Sequence, residues 1–300
     1  MSDRELQTLA SGGHYFEAPR WHDGRWWVSD FYSHTVSTVT TDGVQETVCE
    51  VPGQPSGLGW LPDGSLVISS MTDHRVLRRT PEGQVEEYAD LTKHCGGKLN
   101  DLVVDSNGRI FAGNFGFDLM SGADPATASL VRIDRDGSVH IAALDLHFPN
   151  GAVVTPDGST LIVGETLGAR FTSFRIGADG ELTDRAVWAE FAPLPEPGPL
   201  GAVLAAAVVA PDGCTLDAEG HIWFADALGA RVARAAPGGR IVDEISAPEG
   251  LSCYACMLGG DDGRTLLMCC APDFFEEPRK AAREAVLVTV QVDIAHAGLP

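Results

Sequence analysis

Phe148-Pro149-Asn150-Gly151-Ala152-Val153-Val154-Thr155-Pro156-Asp157-Gly158 sets an amide between a proline and a glycine, then an apolar run that ends in a Pro-Asp-Gly turn. Altered copies of this phrase recur along the chain, so the search for repeats comes before secondary structure. Turn dipeptides followed by short β-type runs stand at Asp23-Gly24, Asp63-Gly64, Asn107-Gly108, Asp157-Gly158, Glu219-Gly220 and Asp262-Gly263. Their glycines are spaced by 40, 44, 50, 62 and 43 residues. Such dipeptides supply the positive φ of tight hairpins, and the residues after them are rich in Val, Ile, Trp and Phe.

A second turn follows inside most units, at Asp42-Gly43, Glu82-Gly83, Asp136-Gly137, Asp179-Gly180 and Gly238-Gly239. It lies 19, 19, 29, 22 and 19 residues after the first glycine, with another strand-like run between, such as Thr35 to Val39. Each unit reads as four antiparallel strands, the pattern of a propeller blade. The expectation is an all-β fold, a six-bladed β-propeller of four-stranded blades, forming a single domain over residues 1–300. Closing the ring requires pairing the two chain ends, and Glu5 to Ala10 with Ala285 to Val292 are the candidates. An open pair of β-sandwiches competes but fits six regular repeats poorly. Helical periodicity is confined to a turn near Arg279 to Glu284.

With 42 acidic and 21 basic residues the formal charge is -21, which argues against nucleic acid or an anionic membrane as partner and leaves a small molecule. Met1 to Glu5 lacks the basic and apolar regions of a signal peptide, and the apolar run Leu200 to Ala210 is too short to span a bilayer, so a cytoplasmic protein is expected. Oligomeric state is not readable. Seven scattered cysteines, including Cys253-x-x-Cys256, read as buried reduced thiols because no histidines or second pair complete a zinc set.

Counting back from the turn glycines exposes a constellation. Asn150, Asn100 and Asp212 each precede their glycine by eight residues, and Glu17 precedes Gly24 by seven. In a propeller these residues begin the strand that lines the central channel, so they face one another at its mouth. Two carboxylates and two amides are hard oxygen donors that suit one divalent cation, Ca²⁺ first, with Mn²⁺, Mg²⁺ or Zn²⁺ as alternatives. Ser56 and Ala255 occupy the same count in the other two blades and would leave the mouth partly open. Asp101, Asp105 and Asp217 lie within or after the inner strands, with Asp217 placed to suit an Asx turn, and Asp30, Glu165 and Asp226 end second strands in the same style. Histidines 14, 94, 140, 147 and 221 have no ligand spacing, although His94 and His147 lie close enough to the asparagines to reach the mouth. No serine-hydrolase elbow, nucleotide loop or zinc-protease motif is present.

At E-A-P-R-W (17–21), N-D-L-V-V-D-x-x-G-R (100–109), P-N-G-x-x-x-x-P-D-G (149–158) and P-D-G-C-x-x-D-A-E-G-x-I-W (211–223) the chain resembles the regucalcin (senescence marker protein) and gluconolactonase family over most of its length. The resemblance implies a six-bladed propeller and metal ligation by Glu17, Asn150 and Asp212, with Asn100 as fourth ligand or substrate contact. It further implies hydrolysis of a lactone or related ester, with Asp212 as general base. Lys98 stands where sugar lactonases of this type usually carry arginine, and it offers a point charge in place of a bidentate clamp. The segment Gly113 to Met120 is aromatic and apolar; overhanging the mouth with Phe148 and the apolar Leu200–Val209 insertion it would favour a less polar substrate, and packing between the blades is the equal alternative. Candidate substrate contacts are therefore Lys98, Asn100, Asn114, Phe117 and Phe148. Phosphotriester or lyase chemistry on the same scaffold, and a non-catalytic binding propeller, are the competing functions.

Overall fold

Six four-stranded antiparallel sheets succeed one another around a central channel in the computed structural model, which describes residues 4–298. Met1 to Asp3, part of the leader reading, and the last two residues of the expected 1–300 domain lie outside the described residues. Within each of the first five blades the strand order follows the sequence, as in Phe16–His22, Arg25–Asp30, Thr35–Val39 and Gln45–Glu50. The sixth blade consists of Ser252–Gly259, Thr265–Ala271, Ala285–Gln291 and, as its outer strand, Gln7–Gly13 from the other end of the chain. The expected closure is thus made, and no blade is left open to solvent along that seam.

Burial falls from the channel outward. The inner strands Leu99–Val104 and Pro211–Leu216 are buried at every residue, whereas the outer strand Gln45–Glu50 is mostly exposed. Charge follows the gradient at the rim, where Gln45–Glu50 carries Glu46 and Glu50. Between blades five and six, Trp223, Cys256, Leu266 and Met268 pack into one apolar cluster. Each fully buried side chain of this size contributes about 1.5–3 kcal/mol by leaving water. Cys253 and Cys256 belong to the same cluster, and all seven cysteines are free thiols.

Neighbouring inner strands converge so closely that side chains must vanish in places. A Cβ on Gly151 would lie 2.5 Å from the Asp212 carbonyl oxygen, and one on Gly213 would lie 2.6 Å from the Ala255 Cβ. Only glycine tolerates that approach. The apolar run from Leu200 forms a short helix, Leu200–Ala206, and a second helix spans Glu276–Ala281, earlier than the turn expected near Arg279 to Glu284. Among the described residues no helix is long and apolar enough to cross a membrane.

Candidate active site

Every inner strand carries the same irregularity. After its first or second paired residue the register slips by one, between Glu17 and Arg20, Pro55 and Leu58, Leu99 and Leu102, Pro149 and Ala152, Pro211 and Cys214, and Cys253 and Ala255. A bulge re-aims the side chain beside it. Here it turns one residue in each of five blades toward the mouth, and Glu17, Asn100, Asn150 and Asp212 all line one cavity of about 80 Å³. The count of eight was one residue off in the sixth blade. Cys253 pairs with Cys270 as Pro211 pairs with Asp226, so Tyr254, not Ala255, holds the mouth place and lines the cavity. Ser56 is buried, its carbonyl accepts a hydrogen bond from Ser29, and it does not line the cavity.

The electrostatics of the mouth are those of confined negative charge. Glu17 and Asp212 are both 7% exposed. Burial, then repulsion from Asp212, holds the Glu17 carboxyl well above its ordinary range, against a hydrogen bond from the Ala18 amide. Burial, then repulsion from Asp101, does the same for Asp212, opposed by the Gly213 amide and the Asn150 side chain. Asn150 is oriented by Thr166: its Nδ2 donates to Thr166 Oγ1 at 3.1 Å, and that hydroxyl donates to the Pro211 carbonyl at 2.7 Å. Asn100 is 5% exposed, and its Nδ2 has no hydrogen-bond partner among the described residues. One level deeper, Arg20 donates to Asp101 at 2.8 Å and to the carbonyls of Leu58, Pro19 and Leu102, sealing the channel with an ion pair.

This donor set fits a hard divalent cation. Two buried carboxylates that repel each other would be relieved by a double positive charge, the amides add neutral oxygen donors, and no cysteine or histidine lines the cavity. Among the described residues no three His, Cys, Asp or Glu side chains gather into a metal cluster, in keeping with a set that has only two carboxylates.

Three expected substrate contacts lie elsewhere. Asn114 is fully buried: its Oδ1 accepts from the amides of Gly96 and Gly116, and its Nδ2 donates to the Ser129 carbonyl. It ends the second strand of blade three in the same register as Asp30, Glu165 and Asp226, which accept from the amides of His14, His147 and Ala210 respectively. All four hold the loop that precedes their inner strand. Lys98 Nζ donates to Gln54 at 3.1 Å and pairs with Glu276 at 2.9 Å, away from the cavity lining. Phe117 sits behind Phe148 with ring centroids 6.2 Å apart and does not line the cavity. Phe148 does, stacked on Phe115 at 4.5 Å and held with φ at +60°, a strained conformation that sets its ring at the mouth. The backbone of His94 donates to the Leu91 carbonyl and that of His147 to Glu165, and neither histidine lines the cavity.

The sequence reading missed Thr166 and Tyr254, whereas the overhang it drew from Gly113 to Met120, Phe148 and the Leu200 insertion is present, with Phe115, Leu119, Met120, Phe148 and Leu204 lining the cavity. Thr166 directly follows the strand-ending Glu165, and this adjacency was its only signal. The wall gathers Tyr15, Phe31, Phe115 and Tyr254 with Leu204 from the Leu200–Ala206 helix and Phe274 ahead of Glu276–Ala281.

Fold and site together define a six-bladed propeller whose channel mouth is lined by oxygen donors under an apolar wall. The chain belongs to the SMP-30/gluconolactonase/LRE-like family, which residues 16–271 match. It is 30% identical over 169 residues to a 6-deoxy-6-sulfogluconolactonase of Pseudomonas putida, covering 56% of this chain and 52% of that protein. It is 31% identical over 163 residues to a pentonolactonase of Haloferax volcanii, covering 54% and 49%. The matches span about half the length of these relatives. The calcium-binding protein regucalcin of Agrobacterium tumefaciens superposes with a TM-score of 0.80 at 20% identity over 99% of this chain and 97% of its own, a likeness of fold.

Proposed function

We propose that this protein is a divalent-metal-dependent hydrolase of a lactone or related ester. The observation that carries the reading is the convergence of Glu17, Asn100, Asn150 and Asp212, one from each of four inner strands, on one cavity. Relatives named as lactonases support the reaction class, and a calcium-binding structural neighbour supports the cation. Glu17, Asn150 and Asp212 would hold the ion, with Asn100 as fourth ligand or substrate contact. A bound cation supplies Lewis acidity toward the ester carbonyl.

The protein's own residues do the remaining work. Asp212, buried and pushed toward higher pKa, takes a proton from the attacking water as the new carbon–oxygen bond forms, and returns it to the ring oxygen as the ester bond breaks. Thr166 fixes Asn150 in the cavity lining beside Asp212. The apolar wall limits water to the reacting one.

The test is a panel of aldonolactones, aryl lactones and simple esters assayed with Ca²⁺, Mn²⁺ and Mg²⁺ and after chelation. Turnover that vanishes with chelator and returns with one of these ions is expected, together with at least a hundredfold fall in kcat for Asp212→Asn. Full activity of a metal-loaded Asp212→Asn protein would remove Asp212 from the role of base. Absence of cation-dependent turnover across the panel would overturn the hydrolase reading.

A further inference from the structure

We infer that the site selects a lactone or cyclic ester carrying an alkyl or aromatic substituent and no charged group, in preference to a polyhydroxylated sugar lactone. The inference rests on the hydrolase reading above and narrows its substrate class. Three features of the cavity carry it.

The first is the wall. Rings of Phe31, Phe115, Phe148 and Phe274 come from three different blades and from the segment ahead of the Glu276–Ala281 helix. Leu119, Met120 and Leu204, from two short helical segments outside the blades, complete it. These segments interrupt the repeat, so the apolar surface is built at the mouth and is not a by-product of blade packing.

The second is how few polar groups lie outside the cation's donor set. Thr166 both accepts from Asn150 and donates to Pro211, so its hydroxyl is committed. Glu17, Asn100, Asn150 and Asp212 are the donors the cation would take, and beside them the lining offers only the tyrosines Tyr15, Tyr32 and Tyr254. Several sugar hydroxyls would leave water for a wall with few partners for them, and a polar group buried without a partner is penalised heavily.

The third is charge. No lysine or arginine lines the cavity, and Lys98, the cation nearest in sequence to the asparagines, is held by Glu276 and Gln54. A carboxylate, sulfonate or phosphate on the substrate would face Glu17 and Asp212 without a compensating side chain.

Binding and turnover separate this inference from the reading beneath it. Unreactive cyclic amides are titrated calorimetrically into the Ca²⁺-loaded protein: pyrrolidin-2-one, its 5-pentyl derivative and gluconolactam. The pentyl compound should bind at least tenfold more tightly than the parent, since each buried methylene is worth up to about fourfold, and gluconolactam more weakly than the pentyl compound. The corresponding γ-lactones and D-glucono-1,5-lactone should rank alike in kcat/KM. In Phe274→Ala and Leu204→Ala the preference for pentyl over parent should fall at least fivefold. Tighter binding or faster turnover of the gluco compounds would overturn the apolar-substrate inference and leave the hydrolase reading intact. Absence of binding by every amide would overturn it as well. Tight binding of the pentyl amide with no ester hydrolysed would sink the hydrolase reading while the pocket assignment stood.

Discussion

At the scale of single residues, this propeller separates two kinds of polar side chain that look alike in the chain. Asn100 and Asn150 stand at bulges and face the cavity, while Asn114 stands one strand away and is consumed by backbone. Asn114→Ala should destabilise the fold by about 2–4 kcal/mol in urea, because two buried amides lose their acceptor. Asn114→Asp keeps the acceptor for both amides but sets its second oxygen against the Ser129 carbonyl, so it should recover only part of that loss. A variant whose urea midpoint is unchanged but whose substrate affinity collapses would return Asn114 to the substrate. Arg20 tests the channel in the same way. Arg20→Met leaves Asp101 buried and unpaired, at an expected loss of about 3–5 kcal/mol, read by chemical denaturation.

At the scale of the element, the loops entering the inner strands are held by a carboxylate or amide at the end of the neighbouring strand. Glu165 is one of the three that are fully enclosed, with Asn114 and Asp226. Burial pushes its carboxyl up, but the hydrogen bonds from Arg170, Thr172 and the His147 amide outweigh that and hold it below the ordinary value of 4.5. A carboxyl depressed in the folded state stabilises fully above its unfolded pKa, and that stability drains away as pH falls through the folded one. Wild-type stability should therefore decline as pH drops below about 4.5. Glu165→Gln should start lower at pH 7 and lose part of that acid dependence. Thermal melts from pH 3 to 7 read both slopes, and parallel curves for the two proteins would rule out the linkage.

At the scale of the molecule, the ring is closed by five to seven residues of pairing between Gln7–Gly13 and Ala285–Gln291. Deleting the chain through Gly13 exposes the edge of Ala285–Gln291, an apolar strand. The expected result is a lower melting temperature and concentration-dependent association in light scattering. The net charge of -21 acts on the mouth from all sides. Calcium should raise the melting temperature, by about 2.7 kcal/mol of stability at a hundred times its Kd, and its affinity should weaken as ionic strength rises. A salt-insensitive affinity would confine the attraction to the ligands themselves.

The recurrence of turn glycines and β-type runs was enough to establish blade number, strand order and ring closure, because hairpin chemistry is local and repeats every forty to sixty residues. The four mouth residues were legible for the same reason, since each keeps a constant distance from a local turn. Where that distance drifts, counting fails: the bulge in the sixth blade brings Tyr254 to the mouth in place of Ala255. The fates of Lys98, Asn114 and Phe117 were decided only by tertiary structure. Their partners Glu276, Ser129 and Phe148 lie 15 to 178 residues away, on another strand or another blade, and no spacing rule reaches them. The apolar wall is tertiary in the same sense, assembled from segments outside the repeat that meet only when the ring is closed.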